Sequence, residues 1–339
     1  MMFTLSRIQF FLLLFIIQTG TVFISFQSRL INASGSNAWI VFIIAGIIHY
    51  VQLMLFEKFY KRFNPGPFIS HLYIAYWFFI MVSFLAYINY TLSIWIFPNT
   101  PQIVTMAIIV GVSLYANTRR PETVINLPVV IIPMIPFFLL FVFMAIPELV
   151  WTWLFPINLT DYKSLLKGLF ISQITFIGVE IYLFLRKYVK EDEPVKGKPL
   201  FIYQCIWFLF FFTILVFVLL FFPVKGFKFA TEPLLHLLKS QKVSFVERLD
   251  LFFLFIWASW SIITVTIYTF MCIHVRKLHS KNLSNRNIFL FHSLLVIIPA
   301  YLATKDRIEI VRQSSIYVHM VFSILFPAIV ILMNRGKKN

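Results

Sequence analysis

One carboxylate, Glu180, stands two residues after Gly178 in the apolar run Ile171–Arg186 (ISQITFIGVEIYLFLR). An acid at the centre of a membrane helix costs roughly 2.5–3.5 kcal/mol on insertion scales, so such a group usually faces a cavity or a partner. There a carboxylate can carry a proton, pair with a substrate amine, or act as a fixed hydrogen-bonding group. The bland alternative is that Glu180, about two turns before Arg186, leans toward the membrane interface. The first apolar run carries a matching polar patch, Ile17–Ser25 (IQTGTVFIS), with Thr19, Gly20 and Thr21 at its middle.

Glycine-interrupted segments at corresponding positions in two halves of a membrane protein point to a transporter-type site. Irregular backbone at membrane depth is tolerated only where protein buries it or where it lines a cavity. A break near Gly20 frees N–H groups at the start of the outer half-helix, which suit a carboxylate. Freed carbonyls, there or at Gly178, suit an ammonium or a cation, so a zwitterionic amino acid fits both ends. Each glycine alone also reads as a close-packing position. Phe84 and Tyr87 near the middle of the third run, and Phe176 within the sixth, are candidate pocket walls. In the eighth run Ser259, Ser261, Thr264 and Thr266 form a polar stripe beside Trp257. The candidate ligand-binding set is therefore Thr19, Gly20, Thr21, Phe84, Tyr87, Phe176, Gly178, Glu180, Trp257 and Ser261.

Catalysis finds no motif. The seven histidines form no HExxH pairing, and no glycine-rich phosphate loop or GxSxG elbow occurs. Cys205 and Cys272 fall in or at the end of apolar runs and read as packing residues, so no disulfide, metal or cofactor site is expected.

These groups need an apolar scaffold, and the composition supplies one. Of 339 residues 60% are hydrophobic and 12% charged, against about a quarter charged in soluble domains, and the mean hydropathy is +0.87. The chain reads as an all-α membrane protein. Runs near the 20 or so residues of a spanning helix lie at about 8–32, 38–56, 68–97, 101–116, 124–147, 168–185, 200–222, 249–275, 287–304 and 314–334. The first is too long and lacks the small-residue site of a cleavable signal peptide. Ten transmembrane helices split five-plus-five, with the first and sixth broken, make an inverted repeat within one polytopic domain, 1–339. The first repeat covers about 8–147 and the second about 168–334.

The net charge of +16 sits in short loops, the pattern of topology signals facing anionic lipid rather than of a nucleic-acid surface. Most Lys and Arg fall on one side, which puts both termini in the cytoplasm. Two longer outer segments, 148–167 and 223–248, carry Trp151, Trp153, Leu234 and Leu237 and suggest short helices lying at the interface. Glu247, Arg248 and Asp250 suit a charged cap at the start of the eighth run.

Several stretches together resemble the B-subunit family of spore germinant receptors, in the amino acid–polyamine–organocation transporter superfamily. They are Ser6-Arg-Ile-Gln9 before Gln18-Thr-Gly20; Phe155-Pro-Ile157 and Leu165-Leu-Lys-Gly168 leading to Gly178-Val-Glu180; Glu247-Arg-Leu-Asp250 with Phe253 and Trp257; and Phe326-Pro327 before Asn334-Arg-Gly-Lys-Lys. The resemblance spans essentially the whole chain. It implies a LeuT-like fold of ten helices and a role in sensing a small nutrient such as an amino acid at the inner membrane of a spore. It also implies work with an A subunit and a lipoprotein C subunit. An active secondary amino acid transporter, proton-coupled through Glu180, is the alternative expectation.

Overall fold

The computed structural model describes residues 3–20, 22–228, 232–241, 248–280 and 284–335. Helix α1 (Arg7–Thr19) opens on a capping box, Ser6 with Gln9, and stops at Gly20. The chain then turns through Val22–Ser25 before α2 (Phe26–Ser34) resumes it. Next come α3 (Ala38–Phe59) and α4 (Pro67–Trp95), the latter started by extended Gly66 with Pro67 in its first turn. Helix α5 (Gln102–Asn117) follows. The fifth apolar run is split into α6 (Pro121–Ile131) and α7 (Met134–Phe143), because Pro128 and Pro133 each remove a backbone donor.

The second half begins with α8 (Tyr162–Ser172), which passes through a single tighter turn, Gln173–Phe176, and a bend at 177–180 into the short α9 (Ile181–Leu185). Then follow α10 (Lys198–Phe221), α11 (Pro233–Ser240), α12 (Leu249–His279) and α13 (Asn285–Leu302). The last apolar run starts earlier than hydropathy suggests: α14 (Lys305–Met320) includes the charged turn before residue 314. A π turn, Val321–Leu325, joins it to α15 (Phe326–Met333).

Among the described residues, eight helical stretches are long and apolar enough to cross a membrane, and α1 and α5 are shorter apolar helices. The chain is an all-α, multi-pass membrane protein. In the most apolar window of Tyr162–Tyr188, 83% of residues are buried, against 22% in Pro121–Glu148 and in Asn285–Leu302. The interrupted helices α1–α2 and α8–α9 therefore form the centre of the bundle. Around them, α6, α7 and α13 turn Val130, Phe137, Leu140, Phe289 and Ile297 outward toward lipid.

Of the two longer segments between apolar runs, 148–167 carries a tight turn, Trp151–Leu154, before α8. The other forms α11, whose Leu234, Leu235, Leu237 and Leu238 are buried. Thus α11 packs into the bundle, against α10 and α12. At the opposite end, Leu5 pairs with the chain after α9 through Leu5 N–H to Tyr188 O (2.8 Å) and Lys190 N–H to Leu5 O (3.0 Å). There too Glu57 accepts two hydrogen bonds from the Arg186 guanidinium (2.7 and 2.9 Å) and one from the Tyr182 hydroxyl (2.8 Å). These contacts tie the end of α9 to the start of α1 and to α3.

Candidate functional site

A helix that stops inside a bundle leaves carbonyls without partners. At the first break α12 supplies the donors. The Ser261 hydroxyl donates to Gly20 O at 2.6 Å, and Thr264 adds a donor at 2.9 Å to Ile16 O, which already accepts the Gly20 N–H. Thr19 closes its own turn by donating to Phe15 O at 2.7 Å. This approach of backbone to helix is why residue 20 is glycine: a Cβ there would sit 1.9 Å from Thr264 Oγ1 and 2.9 Å from Trp260 O. At the second break Gly178 has φ +103°, a region that L side chains rarely adopt, and a Cβ would lie 2.1 Å from Ile17 Cγ2. The two breaks touch each other.

Glu180 is fully buried beside that bend. Its Oε1 accepts from Trp77 Nε1 (3.0 Å) and its Oε2 from the Gly178 N–H (3.2 Å), a donor freed by the bend. His319 Nδ1 lies 3.9 Å from Oε2 and 3.0 Å from the Tyr76 hydroxyl. Two buried polar atoms close to this group, His319 Nε2 and the Tyr268 hydroxyl, have no hydrogen-bond partner among the described residues. The carboxylate thus supports the bend and belongs to a polar cluster shared by α4, α12 and α14.

Beside the breaks a small cavity is walled by Val22, by Ser83, Phe84 and Tyr87 of α4, by Ile174 and Ile177 of the second break, and by Arg312 and Ser315 of α14. Its free space is about 10 Å³, room for about one water, so these walls must part to admit a nutrient-sized molecule. Arg312 is the chemically distinctive wall. Its guanidinium donates to the hydroxyl of Ser25, the residue that caps α2, and stacks over the Tyr87 ring at 3.9 Å. The Tyr87 hydroxyl in turn donates to Glu232 at 3.3 Å. Nearby Arg29 is paired with Glu309 at 2.7 Å, whereas Arg312 has no carboxylate within ion-pair distance among the described residues. A cation beside the N-terminal turn of α2 makes a place for a carboxylate, because both fields favour negative charge there.

The candidate residues from the sequence fall into three groups. Phe84 and Tyr87 line the cavity, and Trp257 backs Tyr87 with ring centroids 6.2 Å apart. Thr19, Gly20 and Ser261 form the seam between α1 and α12, while Gly178 and Glu180 form the second bend. Phe176 faces away from the cavity and stacks on His49 at 4.6 Å. Thr21 lies outside the described residues, as does Glu247. Helix α12 is therefore a support for the first break, and α14 supplies the wall that sequence reasoning assigned to α12. Arg312, Ser83 and Ser315 were not among the candidates. Ile308, buried, and Val311, half-buried, continue at helical spacing the buried face of Ser315 and Ile316, and that periodicity was the available signal.

A family model described as spore germination protein matches residues 4–69 and 65–308, with Arg312 just past its end. No curated protein matches the chain in a sequence comparison.

Proposed function

Since the chain belongs to the spore germination protein family, that of the germinant-receptor B subunits, we propose that it is the nutrient-sensing membrane subunit of such a receptor. The family places it in a membrane receptor complex. In our reading the partners there are an A subunit and a lipoprotein C subunit, and the membrane is the inner membrane of the spore with both termini cytoplasmic. We read the helices as ten spans in two inverted groups of five, α1–α7 and α8–α15, each opened by a broken helix. The role is binding rather than catalysis.

The observation that carries this reading is Arg312, held against Ser25 and Tyr87 at the wall of a closed cavity between the two breaks. The ligand class it supports is a small amino acid, its carboxylate on Arg312 and the first turn of α2. The test is a nutrient screen on spores that lack the chain and are complemented with wild type or Arg312→Ala. The variant should need ten- to a hundred-fold more amino acid, because each charge-assisted bond is worth about 1.5–3 kcal/mol, and decarboxylated analogues should not trigger wild type. Equal response of the two strains, or equal triggering by amines, overturns the assignment.

A second reading, an active secondary amino acid transporter, is favoured by one feature: Glu180 and His319 form a fully buried acid–imidazole pair 3.9 Å apart, the type of group that relays protons through membranes. Uptake of a labelled amino acid against its gradient in liposomes, driven by a proton gradient, would establish it. Binding without uptake leaves the receptor reading.

A further inference from the structure

Between α3 and α15 runs an open groove of about 760 Å³, separate from the small cavity. Its long wall is apolar, with Val51 and Leu55 44% and 49% exposed on one side and Ile324 and Leu332 48% and 65% exposed on the other. One end is different in kind. Lys58 from the last turn of α3, Arg62 just after it, and Arg335 just after α15 all line that end. Three cations from two chain segments meet there because Asn334 donates to Arg62 O (3.2 Å) and Asn64 O (3.3 Å), fastening the end of α15 to the loop after α3.

No carboxylate within ion-pair distance neutralises any of the three among the described residues. Glu57, next to Lys58, is spent on Arg186 and Tyr182. The groove thus presents uncompensated positive charge at a membrane-surface level and apolar walls below it. From Lys58 to Ile48, both of which line it, helical rise gives about 15 Å, half the hydrocarbon thickness of a bilayer. That is the depth of one leaflet.

We propose that this groove is a binding site for an anionic phospholipid, with the phosphate held by Lys58, Arg62 and Arg335 and an acyl chain lying between α3 and α15. A neutral lipid would fit the walls but leave the three cations unpaired, whereas a free phosphate would leave the apolar walls uncovered. The deep end reaches Gln173 in the tight turn before Gly178. The chain of a bound lipid therefore ends against the second helix break and braces the π turn, where Gln52 donates to Ser323 O at 3.0 Å.

The test is native mass spectrometry of the purified full chain, given phosphatidylglycerol or phosphatidylcholine in matched amounts. Wild type should retain phosphatidylglycerol selectively. Each cation near a membrane surface contributes roughly fivefold in affinity, so Lys58→Ala/Arg62→Ala/Arg335→Ala should lose about a hundredfold at low ionic strength. A charge-matched control, Arg119→Ala/Arg120→Ala/Lys190→Ala, should retain the lipid. Ala328→Trp, which fills the groove and keeps the cations, should also lose it, and it covers the case in which the triple variant fails to fold. Equal retention of the two lipids, an unaffected triple variant, or displacement by millimolar inorganic phosphate overturns the proposal. So does a lipid-free dimer that Ala328→Trp dissociates, since the occupant would then be a second copy.

Discussion

Ile17 of the first broken helix sits where the side chain of residue 178 would be: a Cβ on Gly178 would lie 2.1 Å from Ile17 Cγ2. The two interruptions are thus a single packed junction, and each constrains the other. Gly178→Ala should destabilise the protein by about 3 kcal/mol, from overpacking and from strain at φ +103°. Ile17→Ala removes the clash but not the strain. Unfolding of the single and double variants in detergent should therefore show coupling of about 1 kcal/mol. Strict additivity would mean that the junction yields freely.

Ser261→Ala leaves Gly20 O without its hydroxyl donor in a buried seam. An unmet buried acceptor costs about 1–3 kcal/mol, so the unfolding midpoint should fall. Ser261→Thr keeps a hydroxyl and should restore part of the loss. If Ser261→Ala unfolds like wild type, the first break does not depend on α12.

The Glu57–Arg186 pair has side-chain exposures of 5% and 12%. Removing one partner of such a pair strands the other, at about 3–5 kcal/mol. Glu57→Ala should therefore cost more than Glu57→Ala combined with Arg186→Met, in which no buried charge is left alone. The comparison is read from thermal unfolding of the three proteins side by side.

Glu180→Gln keeps nearly the same volume but only one oxygen for the two donors Trp77 Nε1 and Gly178 N–H, so the chain should fold with a loss of about 1–3 kcal/mol. The functional response should change, because an ionisable group facing His319 is gone. Dose–response curves for nutrient across a range of pH provide the measurement. Curves that coincide with wild type at every pH would leave Glu180 as a hydrogen-bond acceptor only.

The positions of the breaks were legible because glycine and polar residues inside an apolar run have few other uses. What the breaks bind to was not. Ser261 was visible as part of a polar stripe, but its partner lies 241 positions away, and Glu57 is separated from Arg186 by 129. Spacing carries no information about such pairs. Arg312 was missed for a different reason. Residues 305–313 (KDRIEIVRQ) average to polar, so hydropathy begins the last span after them, although the buried face of α14 already includes Ile308. An average over a turn cannot register that one side is buried while the other carries charge. The same averaging merged α6 and α7, whose separation depends on two prolines rather than on apolarity.

The π turn at Val321–Leu325 gives the last helix a stored residue of winding. Arg312 and Arg335 stand at opposite ends of one rod, about 35 Å apart by helical rise, with that extra residue between them. The backbone of the turn is held from two neighbours, Gln52 of α3 donating to Ser323 O at 3.0 Å and Tyr73 of α4 donating to Phe322 O at 2.9 Å, so a shift of winding here would have to break contacts with both.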